Sequence, residues 1–316
     1  MRSGWTIFFA KRLLEALTTL FVIASMTFLL LRVLPGGPFD SEKALPEEIK
    51  ASIEARYGLD KPLVEQYTSY IIGLVQGDWG ESYKYLGRSV TDIILETLPV
   101  SAELGLYSLL LALLIGIPLG VIAAAKHNSP FDTLAMLVAI SGVALPSFVV
   151  GPILVMIFSF GIPFAFLHGS LPPALWDGWE YMILPIVTLG IRPAAIYARM
   201  TRGTVLEAIK QDYVRTARAK GLPESTVLFR HVLRNSLIPV LTITGPLFAG
   251  LLSGSFIIEV IFAIPGIGKH LVSSVSNRDY PLVMGLTLLY SALLVTSNLI
   301  VDILYSVADP RIRMEK

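Results

Sequence analysis

Long apolar runs without charge are the feature that most restricts how this chain can fold. Residues Leu104 to Ala125 contain no charged side chain, and a helix of that length crosses the roughly 30 Å of a bilayer's hydrocarbon core at about 1.5 Å per residue. Lipid offers the backbone no hydrogen bonds, so such a run is stable there as a helix. Over the whole chain 16% of residues are charged, against about 25% in soluble domains. The sequence therefore predicts an all-α integral membrane protein.

Six segments are long and apolar enough to be transmembrane helices. They lie at about 13–33, 104–125, from after Asp132 to about 160, 181–199, 236–258 and 281–301. The third run stays uncharged to Leu167, and Gly161 and Pro163 predict that its helix ends near 160. No small-residue cleavage site follows the first run, so we expect a retained helix rather than a signal peptide.

The distribution of Lys and Arg predicts the orientation of these six helices, because short cytoplasmic loops retain basic residues. Basic residues cluster before the first span, between the fourth and fifth spans, and in the tail: Arg2, Lys11, Arg12, Arg199, Arg202, Lys210, Arg215, Arg218, Lys220, Arg230, Arg234, Arg311, Arg313 and Lys316. All three clusters fall on one side of a six-span chain. Both termini and the 200–235 loop are therefore expected to be cytoplasmic.

The segment 35–98 is rich in acidic residues and is expected on the opposite side. Its sequence predicts one helix from Pro46 to Tyr57, ended by Gly58, and a second from Leu63 to Val75. Together they would form a small helical cap on the outer face.

The 200–235 loop is longer than the roughly 2–8 residues that usually connect helices. It predicts two short helices, Thr204–Lys210 and Asp212–Gly221, followed by a turn at Pro223 and a helical entry into the fifth span. The second helix carries a basic surface, and its small residues Ala217 and Ala219 would let it lie close in a partner's groove. The alternative is a solvated basic helix near lipid headgroups.

Two charged residues near or within the spans are candidates for a pore or gate. Arg192 lies inside the fourth span, where a charge normally faces a bundle interior or a watery cavity, and a substrate carboxylate or Glu259 is a candidate partner. The alternative is an arginine that snorkels to lipid headgroups on the cytoplasmic side. Glu259 lies near the outer end of the fifth span, where a structural turn is the competing explanation. The four histidines are scattered and the chain has no cysteine, so we predict neither a metal site nor a catalytic residue.

The second loop helix carries a resemblance to a known family. Arg215-Thr216-Ala217, followed after three residues by Gly221, resembles the EAA signature of ABC importer permeases, with Arg215 in place of Glu and Thr216 in place of the first Ala. The whole segment DYVRTARAKGLPESTVLFRHVLRNSLIPV is similar to the corresponding loop of oligopeptide, dipeptide and nickel permeases. The likeness extends to Gly77–Gly80, Thr97–Ser101 and Asn277–Tyr280, which look like the B-type subunit of oligopeptide importers.

This resemblance implies the type I ABC importer permease fold in a bacterial cytoplasmic (inner) membrane. It implies that the chain forms half of a pore for oligopeptides, or alternatively for dipeptides or nickel, and contacts an ATPase through a coupling helix. The coupling residues would be Asp212, Tyr213, Arg215, Thr216, Ala217, Arg218, Ala219, Lys220 and Gly221. Expected partners are a homologous C-type permease, two cytoplasmic ATPase subunits, an extracytoplasmic peptide-binding protein and the lipid bilayer, with no nucleic acid.

The same resemblance suggests how the chain is divided. Residues 1–95 would hold the first span and the outer loop, residues 96–306 the permease core, and residues 307–316 a cytoplasmic tail. The chain has no phosphate-binding loop of the Gly-x-x-x-x-Gly-Lys-Ser/Thr type, so ATP and Mg would be used by the partner ATPases, and the chain itself would bind no cofactor.

Two other classes of membrane protein are less compatible with the sequence. An intramembrane enzyme needs a buried nucleophile with a base, or paired aspartates, and the predicted spans offer neither. A six-helix channel has no need of the patterned 200–235 segment.

Overall fold

The computed structural model describes residues 2–39, 46–161, 171–254 and 256–308, and this part of the chain is almost entirely helical. The predicted basic tail, Pro163 and His168 lie outside the described residues. The helices are α1 Arg2–Val33, α2 Glu47–Arg56, α3 Leu63–Gln76, α4 Val90–Ala125, α5 Pro130–Ala144, α6 Ser147–Phe158, α7 Trp179–Ile209, α8 Asp212–Ala219, α9 Glu224–Thr226, α10 Leu233–Gly254, α11 Phe256–Ile261, α12 Ile267–Ser276 and α13 Tyr280–Ala308. A π-helix, Val227–Val232, joins α9 to α10.

The number of apolar spans agrees with the sequence prediction, but the shape of one of them differs. Five helical stretches within the described residues are long and apolar enough to cross a membrane: Ala10–Val33, Val90–Ala125, Trp179–Ile209, Glu224–Leu251 and Tyr280–Ile300. The number reaches six when the pair α5 and α6, bent by 111° at a short break, is counted as one span. The prediction of one continuous third helix was therefore wrong, although α6 does end near 160, at Phe158.

Proline chemistry explains the break between α5 and α6. Leu145 precedes Pro146 and adopts an extended backbone, φ −78° and ψ 125°, because the proline ring disfavours the helical conformation of the residue before it. Pro146 is the N-cap residue of α6, a position where the missing N–H costs no hydrogen bond within that helix.

Two other predicted boundaries were wrong for a common reason. The second membrane helix begins at Val90, well before Leu104, and α7 continues to Ile209, so the predicted separate helix Thr204–Lys210 is the end of α7. Hydropathy marks where a helix meets water, whereas the backbone hydrogen bonds of a helix continue past that point. At about 1.5 Å per residue the 36 residues of α4 exceed the hydrocarbon thickness.

The two predicted helices of the acidic segment are confirmed. They are α2 and α3, which end in left-handed glycines, Gly58 at φ +65° and Gly77 at φ +82°. Glycine adopts this conformation without steric cost, which lets the chain turn directly at the helix end. The short helix α12 has no counterpart in the sequence analysis.

The chain forms two compact units, Met1–Val100 with Gly266–Val295 and Ser101–Pro265 with Thr296–Lys316. In the first unit, Asp279 organises the segment before α4: its carboxylate accepts hydrogen bonds from the Ser82 hydroxyl, from Tyr83 N at 3.1 Å and from Lys84 N at 3.3 Å. Beside it, an apolar core joins the start of α4 to α12 and α13 through Val90, Ile93, Ile94, Ile267, Leu282 and Leu286. The division expected at residue 95 stays a prediction.

In the second unit, α4 and α7 pack against each other with almost no side chain between them. A Cβ added at Gly116 would meet Tyr197 Cβ at 2.7 Å, and one added at Gly120 would meet Thr201 Cβ at 2.7 Å. Small residues allow this close approach, which supplies much of the packing energy between membrane helices.

The α4–α7 contacts also show that these two helices run parallel. Along α4 the neighbours on α7 advance in the same direction, from Ser108 beside Gly190 to Gly116 beside Ala194 and Gly120 beside Ala198. A chain that leaves α4 at one end and enters α7 at the other must cross back in between. Helix α5 begins this return, since its contacts run antiparallel to α7, from Asp132 at Arg202 to Gly142 at Ala195. After the bend, α6 contacts α7 further back, with Gly151 beside Thr188.

The close contact at Gly120 gives a stability prediction. Gly120→Ala places a methyl group where α7 already lies, so we expect the unfolding free energy to fall by about 1–3 kcal/mol, as in other overpacked sites. The matched control is Gly203→Ala, also helical, where nothing lies within 4 Å of the added Cβ; its stability should hold or rise by up to about 1 kcal/mol. Thermal unfolding of the purified protein in detergent measures both, and equal midpoints for the two variants would contradict the packing described.

A candidate coupling helix and its platform

Helix α8 has one buried face and one exposed face. Val214 and Ala217, three residues apart and therefore on the same side of the helix, are 0% and 4% exposed. The remaining side chains of the helix are exposed. An eight-residue helix is too short to be stable alone in water, so the buried face is what holds it in place.

The buried face of α8 rests on an apolar surface built from three other elements, which we call the platform. It consists of Val121 and Ala124 on α4, Val205 and Ala208 on α7, and Val227 and Val232 on the π-helix. Helices α4 and α7 thus support the loop helix directly. The buried face of α8 therefore packs against the ends of both helices.

The C-terminal end of α8 is fixed by backbone geometry and an ion pair. Gly221 has φ +76°, and its N–H donates to Arg218 O at 2.9 Å. Arg218 Nε donates to Glu224 Oε2 at 3.1 Å, and this hydrogen bond raises the pKa of the Arg218 guanidinium above its usual value. The predicted end of the helix at Gly221 is confirmed.

Most of the predicted coupling residues lie on the exposed face, with one exception. Tyr213 is 39% exposed, and the Asp212 and Arg215 side chains are 97% and 74% exposed. Thr216, Arg218, Ala219, Lys220 and Gly221 are exposed as well. Ala217, expected to face a partner's groove, instead packs into the chain's own platform, because with Val214 it forms the only apolar stripe of α8.

The two pore candidates occupy different environments. Arg192 is exposed on α7, and among the described residues it has no ion pair or hydrogen bond. Glu259 is fully buried in α11 and accepts a hydrogen bond from Ser101 Oγ at 2.7 Å. The roles proposed for Arg192 and Glu259 stay predictions.

The exposed face of α7 that carries Arg192 continues into a groove. The groove, about 530 Å³ in volume, lies between α7 and α10 and is lined by Ile196, Arg199, Met200, Ile243, Pro246 and Leu247. Arg199 is two turns along α7 from Arg192, so both guanidinium groups lie on one side of the helix.

One cluster of charged residues beside the platform was missed by the sequence analysis. Asp132, only 3% exposed, accepts from Arg202 Nε at 2.6 Å and from Arg202 Nη2 at 2.8 Å. His127 Nδ1 lies 3.2 Å from the same carboxylate. In the sequence, Asp132 only marks the start of the third apolar run, and Arg202 was counted as one basic residue of the loop. No local signal connects the two residues.

Two family models match the chain in succession. Residues 6–105 match the N-terminal part of a membrane component of binding-protein-dependent transport systems. Residues 116–314 match the inner membrane component of binding-protein-dependent transport systems. The chain belongs to this family. It is a multi-pass permease component of the cytoplasmic (inner) membrane and not an enzyme.

Individual members of the family are similar over almost the whole chain. OppB of Salmonella typhimurium, an oligopeptide transport system permease protein, is 46% identical over 308 residues, which cover 97% of this chain and 99% of the relative. OppB of Escherichia coli has the same identity and coverage. DppB of Bacillus subtilis, a dipeptide transport system permease protein, is 41% identical over 306 residues, 97% of each chain.

Solved structures support the permease fold. An inward-facing structure of the MetNI methionine ABC transporter matches with a TM-score of 0.56 at 13% identity, covering 69% of this chain and 96% of that chain. At this identity the likeness concerns the fold alone. It agrees with the predicted type I importer permease fold.

The two faces of α8 give a prediction that separates packing from docking. Val214→Ala removes buried methyl groups and should lower the unfolding free energy by about 2 kcal/mol. Thr216→Ala, two residues away on the exposed face, should change it by less than about 0.5 kcal/mol. Thermal unfolding of the purified permease tests the pair. Equal losses of stability would mean that α8 is not held by its buried face.

Proposed function

We propose that this permease forms half of the pore of an ATP-driven importer that carries oligopeptides across the cytoplasmic membrane into the cell. The observation that carries the proposal is the 46% identity to an oligopeptide transport system permease over 97% of the chain. The similar region includes both the spans and the 200–235 loop. The identity therefore extends over the spans that would form the substrate path and over the loop that would contact the ATPase.

Dipeptide import is the second candidate. Its support is the dipeptide permease of Bacillus subtilis, 41% identical over an equally long alignment. Both substrates have the same charged termini and backbone, so the two functions differ mainly in the length of peptide that is carried.

The proposed assembly contains a second, homologous permease, two cytoplasmic ATPases that use ATP and Mg²⁺, and an extracytoplasmic peptide-binding protein. An exposed arginine such as Arg192 within a span supports a partner outside this chain, because an intramembrane charge normally faces a bundle interior or a watery path. The second permease would cover that face of α7 and complete the pore.

In the proposed mechanism, α8 acts as a rigid lever between the ATPases and the spans. Tyr213, Arg215, Thr216 and Lys220 contact an ATPase groove, while Val214 and Ala217 hold the helix on its platform. When ATP brings the ATPases together, α8 moves with them and displaces the ends of α4 and α7. The contacts of α8 must differ in free energy between the two ATPase states, since only a differential interaction shifts the pore from inward-facing to outward-facing.

Peptide uptake tests the substrate proposal. The permease, reconstituted in liposomes with its partner permease, ATPases and binding protein, should import labelled peptides of four or more residues in an ATP-dependent manner. Affinity of the binding protein for each peptide is measured separately, so that its own preference is removed from the comparison. Import restricted to dipeptides would favour the second candidate, and no ATP-dependent peptide import would reject both.

Charge reversal on α8 tests the coupling proposal. Arg215→Glu should weaken co-purification with the ATPase by about 5-fold or more, within the usual range of coupling energies, because it changes an exposed charge in the docking surface without touching the platform. Arg56→Glu is the matched control, since the Arg56 side chain is also exposed, at 65%, but lies in α2. Association that is unchanged in Arg215→Glu would place the ATPase contact elsewhere.

A further inference from the structure

Asp132 is a buried carboxylate that receives hydrogen bonds from two directions. From α7, Arg202 donates through Nε to Oδ1 at 2.6 Å and through Nη2 to Oδ2 at 2.8 Å. From the turn between α4 and α5, Asn128 N donates to Oδ2 at 3.0 Å, and His127 Nδ1 lies 3.2 Å from Oδ2. Bidentate contacts between a guanidinium and a carboxylate fix the relative orientation of the two groups as well as their distance.

This ion pair lies directly beside the platform of α8. Val205, the nearest platform residue on α7, is three residues beyond Arg202, less than one helical turn. Ala124, the nearest platform residue on α4, is three residues before His127. The ion pair therefore clamps together the two helix ends on which the coupling helix rests.

Stability alone does not account for a charged pair at this position. A buried ion pair often contributes no more than well-packed apolar residues would, and its best-attested use is to specify one arrangement among several. The close contacts of Gly116 and Gly120 already hold α4 against α7 through packing. This α4–α7 packing does not itself include the α4–α5 turn, which Asp132 ties to α7 through Arg202.

We propose that Asp132 and Arg202 are a positioning pair for coupling: they lock the α4–α5 turn to α7, so that movement of α8 displaces both helices together. Without the pair, the turn is no longer tied to α7, and ATP hydrolysis proceeds without opening the pore. The inference rests on the proposed function, because it requires an ATPase that drives α8.

A local role for Asp132 in the turn is the competing explanation, and Arg202 distinguishes the two. Ser129 Oγ accepts from Asp132 N at 3.3 Å and caps the start of α5, and this capping needs no arginine. Changing Arg202 leaves the Ser129 and Asn128 contacts in place and removes the side-chain contacts of Arg202 with Asp132 and His127.

The test is the number of peptides imported per ATP hydrolysed by the reconstituted importer in liposomes. Arg202→Gln should leave assembly of the complex and hydrolysis without peptide unchanged, while peptides imported per ATP fall by about 5-fold or more, the lower end of typical allosteric coupling. Asp132→Asn, which keeps the size of the side chain, should give the same loss. Arg202→Lys keeps the charge and should recover part of the wild-type ratio.

The control is Arg88→Gln, which breaks an exposed ion pair with Glu96 and should leave the ratio unchanged. Two outcomes would overturn the inference. The first is a wild-type ratio of peptides imported per ATP in Arg202→Gln. The second is a loss of assembly in Arg202→Gln together with a wild-type ratio in Arg202→Lys and Asp132→Asn. Failure of the wild-type complex to import any peptide would instead reject the proposed function, so the two failures are distinguishable.

Discussion

Close contact between α4 and α7 sets the arrangement of the permease core. Gly116 and Gly120 bring the two helices together without intervening side chains, and in a membrane such packing replaces the hydrophobic driving force that lipid cannot supply. Because the two helices run parallel, the chain between them must return across the bilayer. In that return, α5 lies antiparallel along α7, which brings Asp132 to Arg202 at the edge of the platform.

The platform is the structural basis of the coupling role that we propose for α8. Two apolar side chains, Val214 and Ala217, anchor α8 to the ends of α4 and α7, while its charged residues remain available to a partner. In the nearby ion pair, Asp132 is buried and the Arg202 side chain is 24% exposed. Such a pair contributes more to fixing one arrangement of the turn than to stability. The proposed lever movement of α8 would therefore act on the ends of α4 and α7.

The sequence predicted α8 well because its signals are local. A short amphipathic pattern begins after Gln211 and ends at a glycine, and both limits are properties of the adjacent residues. The end of α7 was predicted less well, because the helix continues from lipid into water without a change in backbone structure. Ala217 was assigned to a partner's groove because its side chain is small. The sequence does not show that this face of α8 is buried by the chain itself, since the burial depends on residues as distant as Val121.

The sequence alone predicted the membrane class, the positions of the apolar spans and the acidic helical segment. It also showed the likeness of the loop to importer permeases. These follow from composition, periodicity and short motifs, which act over a few neighbouring residues. Only the tertiary structure decided that α4 and α7 run parallel, that the third span is bent, and that Asp132 pairs with Arg202 across 70 positions of sequence. Such pairings depend on how distant segments pack, and a single sequence carries no local signal for that.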